Sequence, residues 1–160
     1  MKNYLYWLLP IGWMAVIFRS SATPYQNQDI KPLLGSFPVD LSFLEPLVDW
    51  ISFRYHQSVV SVETLGIEGF IEFFIRKGAH VGVFFLLMCA FYAALRKAPG
   101  LKSRTNLALS FFLTVAYAVA DEVHQGFTPN RTPYFGDVVL DSFGALLAAV
   151  CLLVFTRWKR

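Results

Sequence analysis

The sequence predicts an all-α fold: an integral membrane four-helix bundle with an amphipathic helical segment on its outer face between the first and second spans. Three observations carry that prediction. Apolar residues make up 56% of the 160 and charged residues only 16%, where a soluble domain averages about 45–50% and about 25%. The apolar residues gather into four runs bounded by charges, and every carboxylate falls on one side of those runs. The same composition excludes intrinsic disorder, a coiled coil, collagen and a disulfide-stapled secreted scaffold. Cys89 and Cys151 lie inside apolar runs and read as small buried residues, not as a disulfide or a metal pair.

The expected spans cover about 3–18, 79–95, 107–120 and 138–156 of one domain that takes in residues 1–160. At about 14 to 19 residues they reach roughly 21–29 Å, a little short of a hydrocarbon core of about 30 Å. The first run lies between Lys2 and Arg19. With Ser20-Ser21-Ala22 behind it, it resembles a cleaved signal segment, but Pro10, Trp7, Trp13 and Arg19 favour a retained helix. Residues 20–40 carry Pro24, Pro32, Gly35 and Pro38 without periodicity and read as an extended loop. Over Leu41–Phe53, Leu44, Leu47, Val48 and Ile51 fall at helical spacing opposite Ser42, Glu45, Asp49 and Ser52, the pattern of an amphipathic surface helix. Ile67–Ile75 also has helical period, with Glu72 and Arg76 as an i,i+4 pair, and is expected to run directly into the second span.

Charge sets the orientation. Lys2, Arg96, Lys97, Lys102, Arg104, Arg157, Lys159 and Arg160 lie on one side with no acid among them. The other side carries Arg19, Lys31, Arg54, Arg76, Lys77 and Arg131 with all eleven carboxylates. Basic loops stay in the cytoplasm. Both termini are therefore expected inside, with the outer segment 20–78 and residues 121–137 outside a bacterial plasma membrane. The partner this implies is the lipid bilayer; no nucleic acid is expected, and no feature fixes an oligomeric state.

Chemically versatile groups concentrate at the outer helix ends. Lys77 and His80 stand at i, i+3 on the second span. The third span ends Asp121-Glu122-Val123-His124-Gln125, with Thr114, Tyr117, Asp121 and His124 (or Gln125) on one face. The fourth opens with Asp137 and Asp141, followed on the same stripe by Gly144 and Ala148, small residues that allow close helix approach. Arg131 is the single cation of the intervening loop. Ionised groups near a helix centre cost about 2.5–3.5 kcal/mol on insertion scales, so these side chains are expected to converge in one polar pocket.

Three uses of such a pocket stay open. Lys77, Arg131 and the carboxylates could simply pin three helices together. Lys77, His80 and Arg131 could hold a phosphate or carboxylate, as on an anionic lipid or a lipid-linked wall precursor, with Arg131 gripping it by two parallel hydrogen bonds. A His–Asp acid–base pair or a divalent metal could instead act on a lipid phosphate or lipid-linked sugar. No cofactor is firmly implied, since no HExxH, CxxC, GxSxG, SxxK or Gly-rich phosphate loop is present. His56 reads as a solvated loop residue.

Four blocks of the chain resemble the VanZ-like family of small bacterial membrane proteins. They are Phe18-Arg19-Ser20-Ser21, Lys77-xx-His80, the stretch Asp121-Glu122-x-His124-Gln125-x-Phe127-x-Pro129-x-Arg131, and Asp137-xxx-Asp141-xx-Gly144-Ala145. The third block is the most specific, and at Asp141 the family pattern often has Asn. The resemblance implies an envelope protein of the plasma membrane that alters glycopeptide access or lipid-linked wall material; the family takes its name from a protein that lowers teicoplanin susceptibility. It implies no reaction.

Overall fold

The computed structural model describes residues 3–24, 28–36, 41–97 and 100–158. A 3-10 turn, Asn3–Trp7, leads into α1 (Leu8–Ser21). Pro10 sits in the first turn of α1, where no intrahelical partner exists for the N–H it lacks. Short elements follow: α2 (Lys31–Gly35), a 3-10 turn Leu41–Leu44, α3 (Glu45–Val48), and a hairpin of β1 (Phe53–Tyr55) and β2 (Ser58–Val60). Three long helices complete the chain: α4 (Val62–Leu95), α5 (Ser103–Gln125) and α6 (Phe135–Trp158). Each of these three is long and apolar enough to cross a membrane.

The chain divides into two compact units: residues up to Pro24 together with those from His80 onward, and the residues between. In the first, Ile17, Phe84, Leu87, Phe91, Ala118 and Val138 form one buried cluster, and Met88, Ala145, Ala148 and Ala149 form a second. The Trp13 indole donates to the Val83 carbonyl at 2.9 Å and the Tyr117 hydroxyl to the Met14 carbonyl at 2.7 Å, fixing α1 to α4 and α5. Gly144 is required where α6 meets α4: a β-carbon there would overlap the Val81 carbonyl and lie 3.0 Å from its Cα.

The faces of α5 are reversed relative to a soluble helix. Its buried residues include Asn106, Ser110, Thr114, Asp121, Glu122 and Gln125, while Leu109, Phe112, Val119 and Val123 are exposed. The hydroxyls are absorbed locally: Ser110 donates to the Asn106 carbonyl and Thr114 to the Ser110 carbonyl, each at 2.8 Å. The α6 helix likewise buries Gly144, Ala145 and Ala148 and exposes Phe143, Leu146, Val150 and Val154. Polar groups inward and large apolar groups outward is the arrangement that a lipid solvent selects.

The second unit departs from the sequence expectation. The helix expected over Leu41–Phe53 is instead two short turns, and the chain then forms the hairpin, with Phe53 opposite Val60 and Tyr55 opposite Ser58. Pro46 enters at the start of α3 and supplies no amide to a preceding turn. Residues 53–60 are rich in aromatic and β-branched side chains, which suit a pleated surface. The loop is closed by His56, with φ 53°. Within the expected loop 20–40, α1 continues to Ser21 and α2 occupies Lys31–Gly35; the parts at 25–27 and 37–40 lie outside the described residues. The Ser61 hydroxyl caps the first turn of α4 by accepting the Thr64 N–H at 3.2 Å. The helix then breaks at Gly66, whose φ of 69° favours a residue without a β-carbon, and runs on through Ile67–Ile75 into the expected second span.

Candidate functional site

The last turn of α5 carries the polar centre of the first unit. Asp121 Oδ2 accepts from the Ser21 hydroxyl of α1 and from the Gln125 amide, both at 2.9 Å. Gln125 Oε1 in turn accepts from Arg131 Nη1 at 2.9 Å. Arg131 then reaches the end of α1: Nε donates to the Thr23 carbonyl at 3.2 Å and Nη2 to the Ser20 carbonyl at 3.3 Å. The Thr128 hydroxyl adds a bond to the Ser21 carbonyl at 3.1 Å. A cation over the carbonyls at a helix C-terminus is favourable in both charge and hydrogen bonding. The turn that aims Arg131 includes Asn130 at φ 60°, a conformation Asn accepts more readily than most residues.

A second group lies where α4 and α6 meet. His80 Nδ1 and Asp141 Oδ1 are 3.1 Å apart, with Asp141 only 1% exposed. Glu122 Oε1 accepts the Tyr134 backbone N–H, which ties α5 to the start of α6. Glu122 lies within electrostatic reach of Asp137, Asp141 and His80, and Asp141 within reach of Asp121. Asp121 Oδ1, Glu122 Oε2 and Asp141 Oδ2 are buried with no hydrogen-bond partner among the described residues. His124 turns elsewhere: its ring stacks on Phe18 at 4.1 Å, and its Nδ1 is also buried with no hydrogen-bond partner among the described residues. Among the described residues, no three His, Cys, Asp or Glu side chains come together as a metal shell.

Lys77 belongs to the second unit. Its ammonium lies 4.4 Å from the centroid of the Tyr55 ring and 5.7 Å from that of Phe73, a cation–π arrangement. There it lines a cavity of about 280 Å³ with Lys31 and Arg76. Glu72, 2% exposed, also lines the cavity and is bound by Arg76 at 2.6 Å. Lys31 and Tyr55 carried no sequence signal as site residues. Glu72–Arg76 was visible as a helical pair, and Ser21 as part of the first motif block.

The expected residues fall into the following groups, the first two linked by Asp141, which lies within electrostatic reach of Asp121. Asp121, Gln125 and Arg131 form one hydrogen-bonded chain. His80 and Asp141 form a pair, with Glu122 and Asp137 within electrostatic reach. Lys77 stands with Lys31 and Arg76. The family model VanZ/LLP1 matches residues 6–156. The chain belongs to the VanZ/LLP1 family. No curated protein and no solved structure matches it. Family membership and three long apolar helices together make this VanZ/LLP1 chain a membrane protein.

Proposed function

We propose that this VanZ/LLP1 protein is a four-span protein of the bacterial plasma membrane that holds an anionic headgroup on its outer side. The ligand class is an envelope lipid or a lipid-linked wall precursor. The observation that carries the reading is the cavity of about 280 Å³ lined by Lys31, Arg76 and Lys77, in which the lining carboxylate Glu72 is bound to Arg76. A phosphate placed there would meet the ammoniums of Lys77 and of Lys31, the latter also 3.8 Å from Asp29, beside an aromatic wall from Tyr55 and Phe73. The charge asymmetry of the loops supports outward placement of residues 20–78, with both termini cytoplasmic. For α1, fourteen helical residues and the five-residue 3-10 turn before it reach about 31 Å at 1.5 and 2.0 Å per residue, enough for a fourth span.

Sequestering a wall-precursor headgroup changes what a glycopeptide can reach, and lowered teicoplanin susceptibility would follow. The test is expression in a susceptible bacterium, comparing the intact chain with a Lys31→Gln/Lys77→Gln variant at matched protein level. A raised inhibitory concentration that the variant loses supports the reading. Equal values for intact and variant chains would exclude a role for this cavity in susceptibility.

A second reading, hydrolase or transferase chemistry on a lipid phosphate or lipid-linked sugar, is favoured by one observation. Asp141 holds His80 through Nδ1, the orientation a general base requires. Turnover that is lost in His80→Gln would establish it.

A further inference from the structure

At the opposite, basic end of the helices, two adjoining cavities of about 410 and about 480 Å³ share Tyr92, Arg96, Phe155 and Thr156. They differ in character. The first adds Ser103 and Asn106 and reaches the start of α5. The second adds Cys89, Ala93 and Leu152, between the ends of α4 and α6. One polar chamber therefore continues into one apolar chamber.

We infer that this double chamber binds an anionic phospholipid of the inner leaflet, its phosphate in the polar chamber and an acyl chain in the apolar one. Charge complementarity selects the occupant. The segment from Arg96 to Arg104 carries Arg96, Lys97, Lys102 and Arg104 with no acid. The first-turn amides of α5, beside Ser103, have no partner within the helix and point toward its N-terminal end. Lys97 sits 5.0 Å from the Tyr6 ring centroid at the rim of the second chamber, adding positive charge there. Basic pockets between spans on the cytoplasmic side suit lipid phosphates, while a chamber walled by Cys89, Ala93 and Leu152 gives a chain of methylenes a surface to cover.

Cys89 makes the inference measurable, because a lipid tail in the apolar chamber shields its thiol. In a Cys151→Ser background, the full chain is placed in phosphatidylcholine nanodiscs with or without phosphatidylglycerol, and N-ethylmaleimide modification is timed at fixed pH. Phosphatidylglycerol should slow the reaction about tenfold when nine-tenths of the sites are filled. Arg96→Gln should abolish the difference in rate between the two lipids, with an unchanged unfolding midpoint in pure phosphatidylcholine showing the helices intact. Equal rates in both lipids, or full protection in Arg96→Gln, would overturn the proposal. Protection by water-soluble glycerol phosphate alone would overturn it too, because the apolar chamber would then have no part.

Discussion

Arg131 offers the sharpest perturbation. Its guanidinium bridges the Gln125 side chain and the carbonyls of Ser20 and Thr23 with donors from all three of its nitrogens. Interhelical hydrogen bonds in membranes average about 0.6 kcal/mol, and bonds to a charged donor reach about 1.5–3 kcal/mol. Arg131 is only half-buried, which moves each bond toward the lower figure. Three such bonds together contribute about 2–4 kcal/mol, and Arg131→Ala should cost about that much. Arg131→Lys keeps the charge but no fork, so one bond of the three survives and about 1–3 kcal/mol is lost. The assay is unfolding of the detergent-purified chain, paired with proteolysis at the end of α1, which should fray first in both variants. A Lys variant as stable as the parent, in which polyprenyl phosphate binding disappears, would refute the clamp and return Arg131 to ligand recognition.

Three further outcomes follow from the packing and the charges. Gly144→Ala should destabilise by about 1–3 kcal/mol, because the new methyl group meets the Val81 carbonyl; an unchanged unfolding midpoint would show that α6 does not approach α4 this closely. Asp141→Asn should stay within about 1 kcal/mol of the parent, since an amide oxygen can still accept from His80, whereas Asp141→Leu leaves His80 without this partner and should cost about 1–3 kcal/mol. Equal stability of the two would contradict the pairing. Arg76→Ala strands a nearly buried Glu72 and should cost about 3–5 kcal/mol, with Glu72→Gln/Arg76→Gln restoring most of the loss; the double variant being worse than the single one would count against this account.

The three long apolar helices were legible because lipid imposes long apolar runs and charge-free helix interiors. The inward stripe of α5 was legible for the same reason: Thr114 and Asp121 recur at helical spacing, and only a bundle interior can take them. Gln125 proved to be the inward partner of Asp121, while His124 found Phe18 instead. That choice depends on a neighbouring helix and not on spacing. Long side chains were the least legible. Lys77 and His80 share a helical face in sequence, yet the four-carbon stem of Lys77 lets its ammonium lie over Tyr55, a residue of the hairpin. Arg131 is expected from the sequence to pair with carboxylates or to grip an anion; two of its partners are instead backbone carbonyls more than a hundred residues away, which leave no signature in residue type, and the third is the Gln125 amide oxygen. Over Leu41–Phe53 the helical period was real, but Pro46 and the β-branched stretch that follows outweighed it.

Equilibrium binding of a polyprenyl phosphate to the full chain in phosphatidylcholine nanodiscs tests the central claim most directly. The account predicts selective binding over the uncharged polyprenol, weakened by added salt. It also predicts about a tenfold loss in Lys31→Gln/Lys77→Gln, the equivalent of about 1.4 kcal/mol spread over two cations. Equal affinity for phosphate and alcohol, or an unchanged constant in the double variant, would contradict it.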